Sequence, residues 1–217
     1  MQINVLAVTA FAENVYIVSD ETTKDALIVD PGGEAGRILE AVEQLGVHVK
    51  YILDTHGHMD HVGGVLKVRE KTGAQYAIHE NDVEISKRQP ADYAFRLISD
   101  FETPPDPDTV LKEGDEFTVG NIVVSVIETP GHTMGSVCFL AGDALFAGDT
   151  LFNGSVGRTD FPGSSWEAIV ESIQSKLFDL EEEVVVLPGH GPQTTIKQEK
   201  EYNPFVGAGT RPQLWTP

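Results

Sequence analysis

The chain has a single cysteine, Cys138, among 217 residues, so it can form no internal disulfide. That suits a reducing compartment. The run Ser136-Val137-Cys138-Phe139-Leu140 reads as a buried strand, which makes the thiol a packed core group rather than a nucleophile or ligand. Cations are also scarce: 15 Lys and Arg stand against 34 Asp and Glu, a formal net charge of −19. Nucleic-acid binding rests on Lys and Arg neutralising phosphates, so this balance argues against a nucleic-acid partner. Its plainer meaning is solubility. No apolar run approaches the ~18 residues that a membrane span needs. Met1-Gln2-Ile3-Asn4-Val5-Leu6 lacks the basic start, apolar stretch and cleavage site of a secretory leader. The expected address is the cytoplasm, with no membrane partner.

What is present is enough for a sizeable core: 41% of residues are hydrophobic, and the 23% that are charged is ordinary for a globular protein. Alternating or continuous apolar runs predict strands over 4–8, 15–19, 26–29, 49–53 and 75–78, then over 116–119, 122–127, 136–140, 144–147 and 184–187. Ile38, Leu39, Val42 and Leu45 recur at helical spacing and Gly46 is a stop, giving a helix over 35–45. Further helices are expected over 61–71, 81–88, 166–178 and 195–202. Residues 101–109, with Pro104, Pro105 and Pro107, form the clearest loop. It suits either a boundary or a surface crossover, and the chain is read as one domain over 1–217. Both halves run strands first and helices after. The expected class is therefore α+β, two sheets packed face to face with helices outside.

The most informative stretch is Thr55-His56-Gly57-His58-Met59-Asp60-His61, which directly follows a predicted strand. Imidazoles and carboxylates are the ligands that hold metal ions in hydrolytic sites. A strand would send alternate side chains to opposite faces, and a helix would spread them around its circumference. A tight loop can point them into one cleft, with Gly57 tolerating the unusual backbone angles. Three later residues share that context: His132 in Pro130-Gly131-His132, Asp149 in Ala147-Gly148-Asp149 and His190 in Pro188-Gly189-His190. Each follows a glycine where a loop leaves a strand. His48 and His79 do not, and read as surface or structural residues. Asp30 and Asp54, polar at strand ends, are candidates to orient the imidazoles from behind.

This His-x-His-x-Asp-His loop, followed in order by His132, Asp149 and His190, resembles the metallo-β-lactamase fold superfamily. The resemblance implies an αββα sandwich with two metals at one edge of its mixed sheets. It implies His56, His58 and His132 on the first metal, Asp60, His61 and His190 on the second, and Asp149 bridging both. The cofactors so implied are two divalent ions, zinc first, with iron or manganese compatible with the same donors. Within the superfamily, the segments Pro130–Ser136, Gly148–Phe152 and Gly157–Pro162 are similar to glyoxalase II, the hydroxyacylglutathione hydrolases. Asp149, where β-lactamases of this fold generally carry cysteine, argues against lactam cleavage. His58 argues against the flavin-linked diiron branch, and the net charge against RNA processing.

The expected reaction is hydrolysis of a small-molecule thioester or ester such as S-lactoylglutathione. A water held between the two ions, its pKa lowered to about 7, is the nucleophile. Asp60 is expected to ligate and to orient that water, and Arg158 either to hold a substrate carboxylate or to form a structural salt bridge within its loop. One departure bears on the substrate. Full-length glyoxalase II carries a C-terminal helical region that grips glutathione with basic residues, whereas here the short tail after His190 offers only Lys197, Lys200 and Arg211. Tyr202 and Asn203 are further candidates to line the cleft. The alternatives are a persulfide dioxygenase-like enzyme with one iron on His56, His132 and Asp149, and a lactonase of the same fold.

Overall fold

The computed structural model describes residues 1–88 and 97–209. Its first sheet runs in spatial order β1 (Gln2–Val8), β2 (Glu13–Ser19), β3 (Asp25–Val29), β4 (His48–Leu53), β5 (Gln75–His79) and β6 (Thr109–Leu111). β1 to β3 pair antiparallel, whereas β3 to β6 pair parallel, with α1 (Ala35–Leu45) connecting β3 to β4. The second sheet holds β7 (Glu116–Val119), β8 (Ile122–Glu128), β9 (Val137–Ala141), β10 (Ala144–Gly148), β13 (Val185–Pro188) and β14 (Thr194–Thr195), in the order β14-β13-β10-β9-β8-β7. It is mixed as well, because β10 and β13 run parallel. A small ribbon, β11 (Leu151–Phe152) and β12 (Ser155–Val156), stands apart from both.

The period-two alternation of the strands divides the core into layers. Tyr16, Val18, Leu27, Val29 and Leu53 point inward to meet Phe117, Val124, Phe139, Phe146 and Leu187 of the facing sheet. Their neighbours Val15, Ile17, Ile28 and Ile52 point outward, onto α1, α2 (Met59–Val62) and α3 (Val65–Thr72). On the other side Cys138, Leu145 and Val186 pack against Ile169 and Ile173 of α5 (Trp166–Ser175) and Ile196 of α6 (Ile196–Tyr202). The architecture is the expected α+β sandwich of two mixed sheets with helices outside. Cys138 is fully buried, as its strand context implied.

Several boundaries differ from the sequence reading. The helix expected over 61–71 is two helices, α2 and α3, divided at Gly63-Gly64. A Cβ on Gly63 would lie 2.6 Å from the Gly32 carbonyl oxygen, and one on Gly64 2.7 Å from that of Pro31. The chain bends there to pack tightly on the Asp30–Gly33 turn. The helix expected over 166–178 ends at Ser175 and continues as a 3₁₀ turn over Leu177–Asp179. The short helix near 81–88 is α4 (Glu80–Lys87). The proline-rich loop delivers a strand that periodicity missed, β6, whose three residues are too few to display a pattern.

Candidate metal centre

All seven predicted ligands meet where strand ends of the two sheets share an edge. His56 and His58 follow β4, and Asp60 and His61 lie in α2. His132 follows β8, Asp149 follows β10, and His190 follows β13. Hydrogen bonds from Asn14 and Tyr16 hold the His190 loop onto β2. The Asn14 amide donates to the Gly189 carbonyl at 2.7 Å, and the Tyr16 hydroxyl to that of Pro188 at 2.7 Å. Gly189 is required for space, since a Cβ there would lie 2.6 Å from Asp149 Oδ1 and 2.7 Å from His61 Cε1. Gly57 is required for the same reason. Its Cβ would meet the Asp82 carbonyl oxygen at 2.6 Å, and it is not among the glycines with left-handed backbone angles. The sequence reading chose the right residue for the wrong cause.

The donor atoms fall into two groups joined by one carboxylate. His58 Nδ1 lies 3.0 Å from His56 Nε2 and 2.9 Å from His132 Nε2, and Asp149 Oδ2 lies 3.5 Å from His132 Nε2. On the other side Asp149 Oδ1 lies 3.4 Å from His61 Nε2 and 3.7 Å from His190 Nε2, which is 3.4 Å from Asp60 Oδ2. Asp149 thus faces both groups, one oxygen to each.

Hydrogen bonds on the far side of the rings fix which nitrogens are free. His132 Nδ1 donates to the Arg158 carbonyl at 2.8 Å and His190 Nδ1 to that of Phe11 at 3.2 Å. The Thr55 hydroxyl donates to Asp30 Oδ2 at 2.7 Å, so it accepts from His56 Nδ1 at 3.1 Å. His61 Nδ1 lies 2.9 Å from the same Asp30 oxygen. Each of these rings therefore aims Nε2 into the cluster, the arrangement that supporting hydrogen bonds give ligating histidines. Asp30 is the residue behind the site, held at φ 50°, a backbone conformation that carbonyl-bearing Asp and Asn tolerate best among non-glycine residues. Asp54 is not: its Oδ2 accepts from the Tyr76 hydroxyl at 2.9 Å, and burial together with Asp30 raises its pKa.

Electrostatics follow the same division. Burial and the crowding of His61, His58 and His132 push His56 well below the usual imidazole pKa. Burial and His132 bring His58 down to about 4. For His61 burial also disfavours charge, but Asp149 and Asp30 outweigh it and carry the pKa well up. His190 is raised against burial by its bond to Asp60. Burial opposes ionisation of Asp149 and Asp60 as well, yet the facing imidazoles hold both below their ordinary range. The surroundings of His56 and His58 thus disfavour imidazole charge, while Asp60 and Asp149 are carboxylates that demand positive charge nearby. Among the buried side-chain atoms without a hydrogen-bond partner are His61 Nε2 and Asp149 Oδ1, which face each other. A pair of divalent cations answers all of these features, so the residues fit a dinuclear centre.

The sequence reading missed two residues of the surroundings. Asp82, fully buried on α4, accepts from the Gly57 amide at 2.7 Å, the Gly135 amide at 2.8 Å and the Thr133 hydroxyl at 2.7 Å. It ties the loop of His56 and His58 to the loop of His132. Glu13 is buried within 4.8 Å of donor atoms of Asp30 and His61. Neither of its carboxyl oxygens has a hydrogen-bond partner among the described residues, and burial raises its pKa. Neither carboxylate lies in a motif, and only the folded chain brings them to the site.

A cavity of about 590 Å³ opens onto the centre, lined by Phe11, Met59, Phe152, Phe161 and Arg158 above His58, Asp60, His132, Asp149 and His190. The Arg158 guanidinium sits 4.5 Å over the Phe161 ring. Tyr202 and Asn203, candidates from sequence, are not among the lining residues. Asn203 instead caps the end of α6, its side chain accepting from the Phe205 amide. Lys197 pairs with Glu182 and Lys200 bonds the Phe178 carbonyl, so neither reaches the cavity. Arg211 lies outside the described residues. His79 is structural, its Nδ1 accepting from the Asn81 amide at the start of α4, and His48 is exposed at the start of β4.

The family model of the metallo-beta-lactamase superfamily matches residues 8–190, a span that contains every residue of the centre. The chain belongs to that superfamily. It is 36% identical over 212 residues to the hydroxyacylglutathione hydrolase GloC of Haemophilus influenzae, covering 96% of this chain and 99% of the relative. Among solved structures, the BLEG-1 B3 metallo-beta-lactamase superposes with a TM-score of 0.86 at 33% identity, over 94% of this chain and 99% of the other. ETHE1 from Myxococcus xanthus superposes with a TM-score of 0.81 at 31% identity, over 95% and 84%. As a member of this superfamily the chain is a metalloenzyme with His and Asp clusters suited to two metals. No helix among the described residues is long and apolar enough to cross a membrane.

Proposed function

We propose that this single-domain protein is a dinuclear metallohydrolase of the glyoxalase II type, which cleaves a small-molecule thioester such as S-lactoylglutathione in the cytoplasm. The observation that carries the reading is Asp149, which presents one oxygen to each donor group. In this reading His56, His58 and His132 hold one cation, Asp60, His61 and His190 the other, and Asp149 both. Two bound divalent ions, zinc first among the candidates, would supply Lewis acidity and a water acidic enough to lose its proton near neutral pH.

The chain's own residues do the rest. Asp60, 3.4 Å from His190 Nε2, keeps a carboxylate oxygen at the cavity floor, where it accepts a proton from water and orients the lone pair toward the acyl carbon. Phe11, Met59, Phe152 and Phe161 exclude bulk water from the floor, which strengthens every charge interaction there. A thiolate leaves without strong acid assistance, consistent with the lack of a Ser-His-Asp arrangement among the described lining residues. Arg158, at the cavity wall, would hold a substrate carboxylate in this reading. The 36% likeness to GloC along the whole chain supports the thioester choice.

The test combines metal analysis with a substrate panel of S-lactoylglutathione, a lactone, a β-lactam and a phosphodiester. Two metals per chain and preferential thioester cleavage are expected. A protein loaded with zinc, iron or manganese that leaves the thioester intact would overturn the assignment. The rival outcome is that of the persulfide dioxygenase-like alternative, one iron per chain with oxygen uptake on glutathione persulfide.

A further inference from the structure

Arg158 is the one lysine or arginine among the described residues lining the cavity, in a chain whose net charge is −19. Its fork is already filled. Nε donates to Asp160 Oδ1 at 2.9 Å and Nη2 to Asp160 Oδ2 at 2.8 Å, the two-pronged geometry by which arginine grips any carboxylate. The pair is exposed, with 68% and 67% of the two side chains accessible. Solvent screens it, so exchanging one carboxylate for another there costs little. The guanidinium is also stacked on Phe161, whose ring lies 5.0 Å from that of His58 and 6.0 Å from that of His132. The fork therefore stands at a set distance from the reacting floor, one aromatic ring away.

We propose that Asp160 is an internal competitor for the carboxylate seat on Arg158, so that the Arg158–Asp160 pair sets how strongly the enzyme prefers carboxylate-bearing thioesters over uncharged ones. The inference rests on the thioester reading and on Arg158 facing substrate. Arg158 is held over Phe161 by the ring itself, so removing Asp160 frees the fork without releasing the guanidinium. A substrate carboxylate then takes the two donors that Asp160 occupies, while the acyl carbon reaches the floor past Phe161. The preference is graded because the competitor is two residues away and always present.

The experiment compares two thioesters of one acyl group on the zinc-loaded enzyme, a glutathione ester and an uncharged N-acetylcysteamine ester. D160N is expected to lower KM for the glutathione ester about fivefold, the upper end of what an exposed ion pair contributes. R158Q is expected to raise that KM by a similar factor, and D160N added to R158Q to change nothing more. D160N should shift neither kcat nor KM for the uncharged ester. Calorimetry of S-methylglutathione, a thioether that is not hydrolysed, on the zinc-loaded protein reads the same seat without turnover: tighter in D160N, weaker in R158Q. A KM that rises in D160N, or moves equally for both esters, would overturn the proposal. If wild-type enzyme cleaves neither ester, the thioester reading fails, and unchanged calorimetry in both variants would separately refute the competition.

Discussion

Oδ2 of Asp30 lies 2.9 Å from His61 Nδ1 and 2.7 Å from the Thr55 hydroxyl, which in turn accepts from His56 Nδ1. One carboxylate thereby orients an imidazole of each donor group, directly in one case and through a hydroxyl in the other. Asn at position 30 keeps the backbone conformation but turns an N–H toward donors that need an acceptor. Asp30→Asn should weaken cation affinity about 10–100-fold, the range seen when such supporting partners are lost. Competition with a chromophoric chelator measures it, and an unchanged affinity would show that Asp30 merely braces the turn.

Asp60→Ala removes a donor from the second group only, since the first comprises His56, His58 and His132. Metal content should fall from about two ions per chain toward one, with turnover reduced at least about 100-fold through loss of the proton acceptor. The side chain contributes nothing to the sheet cores, so the far-ultraviolet circular dichroism of the variant should match wild type. Full activity in the purified variant would contradict its role.

Asp82→Ala should cost stability as well as metal. Two amides and a hydroxyl would lose a buried acceptor, and each such loss costs about 1–3 kcal/mol before relaxation. Taking about 3 kcal/mol in total, the metal-free Tm should fall by roughly 6–12 °C for a chain of this length. Differential scanning calorimetry decides it; a shift under 2 °C would mean that the two ligand loops do not depend on Asp82.

Asp20 offers a pH test remote from the centre. Its carboxylate accepts from the Thr22, Thr23 and Asn121 amides and from the Asn121 side chain, joining the β2–β3 turn to the β7–β8 turn. Those donors hold its pKa below the usual carboxylate range. A depressed folded-state pKa means that the stabilisation is fully present above the unfolded value of about 3.9 and is lost as pH falls through the folded value. Wild type should therefore lose Tm below about pH 4 more steeply than Asp20→Asn, the two curves converging in acid. Parallel curves would remove Asp20 from the acid response.

The sequence by itself singled out the seven side chains that the fold brings together, and it determined the α+β layering and most strand positions. Each of those is a local signal: a ligand-rich loop after an apolar run, a period of two, a helical spacing closed by glycine. The tertiary structure alone decided the break at Gly63-Gly64, the three-residue strand β6, the separate jobs of Asp30 and Asp54, and the arrival of Asp82 and Glu13 beside the centre. Those depend on which surfaces meet. Asp82 and Gly57, like Asp30 and Thr55, are 25 residues apart in the chain, and no local pattern encodes such pairings.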